Sequence, residues 1–296
     1  AHAGWLGKNR RATVCLPPAY GKDSGPYPVT EPPPNLDGDR WLGPVPKLPY
    51  CKERCHGSWR NWIETGHGPL TDWGVHHVDI AQWALGAQDT GPVRVSGSGT
   101  FPQGREKTLA VLLGGAPSSS LPNGKTTVTN YRAELAFASG RVLGIDSVGE
   151  RPSIAKDQTG LYLEGDNHAI WVSRRGNEFH LVGDLIDAIN SDPGKKSDLD
   201  DKVTALCKGR RPEWSGPGQK MGDIVPTSHM ADFFTCVGTR RQPMSDVFTH
   251  HRSNTTGILA NISMLLNCPL RWDPDKQEFV GNEQANALRS RKQRAP

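Results

Sequence analysis

Apolar and polar positions follow two different periods along this chain, and the changes of period divide it. Residues 9–16 set Ala12, Val14 and Leu16 against Arg11, Thr13 and Cys15, a period of two that predicts a strand. From Leu70 the period lengthens. Leu70, Trp73, His77, Ile80 and Ala84 recur at spacings of three and four, the signature of one buried helix face. After Gly86 the shorter period returns. Val93 and Val95 alternate; Thr127, Thr129, Tyr131, Ala133, Leu135 and Phe137 make a clean strand, and residues 141–148 return across a turn at Ser139-Gly140. A second hairpin is predicted from Leu161–Leu163 to Ala169–Val172, with residues 181–190 as a short helix and 191–226 as a polar connection. The last third reads as helical. Residues 228–237 form one helix, and Ser245-Asp246 caps a longer one whose stripe is Phe248, His251, Thr255, Ile258, Ile262 and Leu265.

This order predicts an α+β fold: an open-faced, mostly antiparallel β-sheet with helices on one face. Composition adds one feature to it. Residues 17–49 hold more than a third of the 24 prolines, so that stretch can form neither helix nor inner strand. Tyr20, Tyr27, Trp41 and Leu42 make it too apolar for a simple linker, and it is expected to wrap a surface as a long Pro-rich arm.

Charge and cysteine content mainly exclude. A formal charge of +4 is too mild to suggest nucleic acid, and the basic tail Arg289–Arg294 reads as a solvated end. No apolar run approaches the ~18 residues that cross a bilayer, so no membrane partner is expected. Among six cysteines only Cys51 and Cys55 lie close together, which is neither a zinc spacing nor a disulfide framework. The chain opens without an initiator Met or a signal core; a cytoplasmic location is the default expectation, with export left open.

Residues 66–86 are the stretch that looks built for chemistry. Asp72 and His76 stand four apart, one turn above each other on the expected helix. A carboxylate there can orient an imidazole for proton transfer, or both can decorate a polar face; spacing alone leaves the two readings open. Crowding of His67, Asp72, His76, His77 and Asp79 raises a metal site. But His76 and His77 diverge by about 100° on a helix, and Asp72 with His76 supplies only two ligands, so no metal is assigned. Gly66-His-Gly68-Pro-Leu-Thr71 fails as a dinucleotide turn, because Pro69 lacks an N–H, the third glycine is Thr71, and Trp62–Thr65 is a poor strand. The glycosylation sequons at Asn254 and Asn261 fall mid-helix and are discounted; His251 is assigned a packing role.

Leu70-Thr-Asp-Trp-Gly-Val-His-His-Val-Asp-Ile-Ala-Gln-Trp83 resembles the substrate-domain helix of the Gfo/Idh/MocA family of sugar and inositol oxidoreductases. Asp39–Pro46, Trp59–Trp62, Ser245–Val247, His251–Ser253 and Arg271–Asp275 are similar to segments of that family's large bacterial branch. The resemblance implies that His76 exchanges the proton of a sugar hydroxyl while hydride passes to or from a nicotinamide, with Asp72 holding a neighbouring hydroxyl and orienting His76. It also implies Arg60, Trp62 and His77 as substrate-binding positions, and a homo-oligomer formed through the open sheet face. Two departures stand out. His67 replaces a glycine of the turn before the helix, and there is no complete Rossmann domain, glycine-rich loop or Glu-Lys-Pro segment. Residues 1–10 then read as the connection leaving a missing nucleotide-binding domain, and 11–296 as a substrate-binding and oligomerisation domain. NAD or NADP would bind the full-length protein, but neither is expected to bind tightly to this chain alone. Other expectations compatible with the same residues are a non-catalytic carbohydrate-binding or assembly module and an NAD-dependent glycoside-cleaving relative.

Overall fold

A nine-stranded sheet organises the chain, in the order β7-β6-β5-β1-β4-β3-β2-β8-β9. The computed structural model describes residues 6–19, 23–149, 159–166, 169–173, 179–182 and 229–294. The strands are β1 Asn9–Cys15, β2 Arg94–Thr100, β3 Thr129–Ala136, β4 Val142–Asp146, β5 Gly160–Gly165, β6 Ala169–Ser173, β7 Phe179–Val182, β8 Leu270–Asp273 and β9 Glu278–Phe279. The β1–β4 pairing is parallel and every other one is antiparallel, as the alternating runs predict. Along β3 the alternation is complete: Tyr131, Ala133 and Leu135 are buried while Asn130, Arg132 and Glu134 are exposed. One face is therefore core and the other is open to solvent. Leu6 is buried, and β1 starts at Asn9, two residues before the expected domain start at residue 11.

The helices are α1 Gly38–Leu42, α2 Trp73–Ala84, α3 Arg105–Leu112, α4 His229–Thr239, α5 Val247–Leu266 and α6 Glu283–Ala287. Helices α2 and α5 pack on each other and against the sheet, sealing a core that includes Val14, Leu16, Val78, Leu135, Leu143, Ile145, Leu259 and Ile262. Each fully buried aliphatic side chain there contributes roughly 1.5–3 kcal/mol. The Pro-rich arm was expected to form no helix, but its Pro-free run Gly38–Leu42, capped by the Asp37 carboxylate, forms α1. The arm is tied down by hydrogen bonds from Tyr27 N to Asn123 O and from Lys125 Nζ to Asp23 O. Among the described residues no helix is long and apolar enough to cross a membrane.

Four further expectations need correction. The α2 stripe is rotated: His77 is buried, but Trp73 and Ile80 are 56% and 39% exposed, and the inward face is Gly74, His77, Val78, Ala81 and Gln82. The α5 stripe is rotated as well. Phe248 is 67% exposed and His251 is exposed, while Thr249, Ser253, Thr256 and Gly257 point inward. The cause is common to both helices. They meet through small residues and polar pairs, Ser253 Oγ donating to Asp79 Oδ1 (2.7 Å) and Thr256 Oγ1 to Gln82 Oε1 (2.6 Å). A Cβ on Gly257 would lie 3.1 Å from Leu70 O, so large apolar side chains do not fit this seam. Third, Leu181 and Val182 belong to strand β7, and the rest of the helix expected at 181–190 lies outside the described residues, as do residues 191–226. Fourth, Arg291 and Arg294 are not a solvated end but are hydrogen-bonded into the body of the chain. Helices α3 and α6 and strands β8 and β9 had no counterpart among the elements expected from the sequence.

Candidate functional site

Chemistry-bearing side chains gather where the chain enters α2. Two tight turns, His56–Asn61 and Gly68–Leu70, bracket this entrance. Pro69 suits the start of the second turn, where its missing N–H leaves nothing unpaired. Gly68 has φ +65, and a Cβ there would meet Thr127 Oγ1 at 2.8 Å, so only glycine fits.

Asp72 occupies the N-cap position of α2 but caps nothing. Its backbone (φ −91, ψ −100) departs from the usual cap geometry, and no helix N–H reaches its carboxylate. The carboxylate turns instead to Arg60, with Nε 2.9 Å from Oδ2 and both side chains about one-third exposed. Arg60 also donates through Nη1 to Gly57 O and lies 5.2 Å over the Trp59 ring. Among the described residues no hydrogen bond or ion pair joins Asp72 to His76. The structure thus brings Asp72 to Arg60 rather than to His76.

His76 lies on the exposed face of α2, between Trp73 three residues before and Ile80 four residues after, both exposed. The rings of Trp73 and His76 meet edge to face, with centroids 6.3 Å apart. His77 points the other way: it is 1% exposed and its Nδ1 donates to Trp73 O at 2.8 Å. Trp62 is fully enclosed, below the Arg54 guanidinium (5.0 Å to the ring centroid) and 5.8 Å from the Tyr27 ring. Neither His77 nor Trp62 offers a surface to a ligand in this chain; both support the corner from behind.

Behind the corner sits a cluster that sequence reasoning missed. His67 Nε2 is 3.0 Å from Arg291 Nη2, and its Nδ1 is 2.8 Å from the Asn261 amide. Burial, and then the charge of Arg291, drive the His67 pKa down from 6.5 to about 3, so the ring is neutral. A guanidinium can only donate, so Nε2 accepts and the ring proton rides on Nδ1. The Asn261 amide then serves this proton through its oxygen, which gives the otherwise unpaired buried Oδ1 a partner. Burial also depresses the Arg291 guanidinium, with the Glu64 carboxylate opposing. Each member stood out in the sequence for another reason: His67 in a crowd of candidate ligands, Asn261 as a discounted glycosylation sequon and Arg291 in a tail expected to be solvated, and none of these signals linked the three.

Among the described residues no group of three or more His, Cys, Asp or Glu is arranged to hold a metal ion. Nor do residues 66–71 form the strand, glycine turn and helix of a dinucleotide cradle; they form a 3₁₀ turn packed on Thr127.

Known proteins place this geometry in context. The family model described as "Oxidoreductase family, C-terminal alpha/beta domain" matches residues 21–107 and 200–296. No curated protein matches the chain. Among solved structures, an aldose-aldose oxidoreductase from Caulobacter crescentus complexed with glycerol is 12% identical, with a TM-score of 0.46 over 91% of this chain and 57% of its own. Levoglucosan dehydrogenase in complex with NADH and L-sorbose is 13% identical, with a TM-score of 0.44 over 91% and 60%. The UDP-N-acetylglucosamine 3-dehydrogenase of Acidithiobacillus ferrooxidans is 10% identical, with a TM-score of 0.41 over 90% and 57%. The chain therefore spans less than two-thirds of the length of these proteins. By its family match, which covers more than half of its residues, the chain belongs to the Gfo/Idh/MocA oxidoreductase family and carries that family's C-terminal alpha/beta domain.

Proposed function

We propose that this chain is the substrate-shaping part of an NAD(P)-dependent oxidoreductase acting on a hydroxyl group of a sugar, inositol or related polyol. The observation that carries this reading is the outward placement of His76 between exposed Trp73 and Ile80, next to the Arg60–Asp72 pair. A polyol needs apolar surface for its C–H faces and charged groups for its hydroxyls, and this corner offers both. His76, reachable from solvent, is the group assigned to exchange the proton of the reacting hydroxyl. Asp72 accepts a hydrogen bond from a neighbouring hydroxyl while Arg60 keeps its carboxylate aimed. Trp62 and His77 fix the wall and the helix and touch no substrate.

A nicotinamide would supply the hydride chemistry in the whole protein, and the residues described here form no cradle for it. The role assigned to this chain is thus confined to binding the polyol and moving its proton. Residues 11–296 act as one substrate-binding and oligomerisation domain, with 1–10 as its connection to a preceding one. The open sheet face, lined by Arg11, Arg132 and Glu134, is the surface assigned to self-association.

Calorimetric titration with myo-inositol and a panel of aldoses tests the reading. Asp72→Ala is expected to weaken binding about tenfold, the ~1.5 kcal/mol of a hydrogen bond to a charged group. His76→Ala is expected to weaken it less, since its main contribution is to the chemical step. Equal binding by wild type and Asp72→Ala would favour a carbohydrate-binding or assembly module with its contacts elsewhere.

A further inference from the structure

Arg291 lies more than two hundred residues from Asp72 in sequence, yet it is wired to the same corner. Its Nη1 donates to Ile63 O and its Nη2 to His67 Nε2, so one planar guanidinium grips both ends of the 63–67 loop. That loop bears directly on Arg60. A Cβ on Gly66 would lie 2.7 Å from Arg60 O and 2.9 Å from Arg60 Cα, closer than real side chains approach. Arg60 in turn holds Asp72 at 2.9 Å. The chain of contact from tail to carboxylate runs through the Arg291 side chain, the close backbone approach of Gly66 to Arg60, and the Arg60 side chain.

The far end of the tail is fixed too. Arg294 donates to Gly43 O (2.8 Å) and Asp39 Oδ1 (2.6 Å), and its N–H to Pro44 O (3.0 Å), which clamps the tail onto the Pro-rich arm. Arg291 therefore grips the loop from an anchored segment. Its second acceptor is equally fixed, because the Asn261 amide on α5 holds the His67 ring on the opposite side.

From these contacts we infer that Arg291 is a positioning residue for the candidate site, setting the Arg60–Asp72 geometry through the Ile63–His67 loop. The inference rests on the reading of Asp72 as a substrate-binding residue, but its test does not. Arg60 Nε is enclosed and faces Asp72 Oδ2 at ion-pair distance without a straight hydrogen bond. Solvent exchange of its Nε–H, followed by ¹⁵N-edited NMR near pH 6, therefore reports how closely the guanidinium is packed at this pair, without substrate or cofactor.

Arg291→Met is expected to raise that exchange rate at least tenfold, toward the rate seen in Asp72→Asn. The cross-strand amides of β3 and β4 should keep their protection. A general loss of stability would instead raise exchange in the sheet and at Arg60 together. Arg291→Lys reaches one acceptor but not both, so an intermediate rise of about threefold is expected, and this variant decides the question if Arg291→Met does not fold. Arg60 exchange within twofold of wild type in either folded variant would overturn the inference. That outcome would leave the binding test of Asp72 and His76 untouched, so the two claims fail separately.

Discussion

Arginine–carboxylate pairs occur in several regions of this molecule, and those of the open sheet face and of the α2 entrance are built differently. On the open sheet face Arg132 meets Asp146 at 2.8 Å, its direct cross-strand partner, and Arg11 meets Glu134 at 2.6 Å and lies 3.8 Å from Glu164. At the entrance of α2, Arg60 meets Asp72 at 2.9 Å, but neither residue lies in a strand or on a helix face. The sheet pairs need only the regular pleat, which lifts alternate side chains into solvent. The α2 pair needs Gly66 against the Arg60 backbone, His67 between Asn261 and Arg291, and a carboxylate that forgoes its capping role. Similar ion pairs can thus be a by-product of regular structure or the output of a dedicated scaffold. The proposed substrate corner rests on the second kind.

If the scaffold matters, disturbing it should cost far more than disturbing the sheet face. Gly66→Ala forces a Cβ into the Arg60 backbone, and overpacking of this kind costs about 1–3 kcal/mol. A fall of that size in urea-unfolding free energy is expected, together with a changed environment for the exposed Trp59 beside Arg60. Gly66→Ala with wild-type stability would remove the dedicated-scaffold distinction.

His67 gives the next largest effect, and it depends on pH. Its pKa is about 3 when folded and about 6.5 when unfolded. Between those values the unfolded chain binds a proton that the folded chain refuses, so stability rises with pH across this window. The contribution is complete above pH ~6.5 and is lost as pH falls toward 3, by an amount on the order of a few kcal/mol. Urea titrations at pH 7 and pH 4.5 should show this loss in wild type and a smaller one in His67→Gln. An unchanged pH dependence in the variant would mean that His67 is protonated, or exposed, in the folded protein.

The smallest effect belongs to the open face. Glu134→Gln breaks the Arg11 ion pair between half-exposed side chains, and pairs of this kind contribute about 0–1 kcal/mol. A stability change under ~1 kcal/mol, shrinking further in 0.5 M salt, is expected from melts at two ionic strengths. A loss as large as that of Gly66→Ala would show that the sheet face, too, is a tuned assembly.

The same contrast explains what could be read from the sequence. Strands β1, β3, β4, β5 and β6 followed from alternation, because a one-sided sheet writes its burial directly into the chain. Helices α2 and α5 were found, but their buried faces only in part: Leu70, His77, Ile262 and Leu265 are buried as expected, and the rest of each stripe is not. Their seam uses Gly257, Gln82, Thr256, Asp79 and Ser253, while Trp73, Ile80 and Phe248 face outward, so hydrophobicity points the wrong way. Asp72 and His76 stood out through spacing and through family resemblance. The Arg60–Asp72 pairing did not, since spacing alone suggested an Asp72–His76 contact. The pairing of Arg291 with His67 left no local trace: their partners Ile63 and Asn261 lie 228 and 194 residues away. The outward turn of the apolar residues beside His76 is itself informative. Local sequence–structure consistency breaks where a surface is reserved for something other than the core.

Histidine-selective NMR of the chain titrated with myo-inositol, glucose or another polyol addresses the α2 corner most directly. Shift changes are expected at the His76 ring and the Trp73 indole, but not at His251, and they should disappear in Asp72→Ala. Perturbations centred on Arg132 and Glu134 of the open sheet face, with His76 and Trp73 silent, would contradict the assignment of the α2 corner as the substrate site.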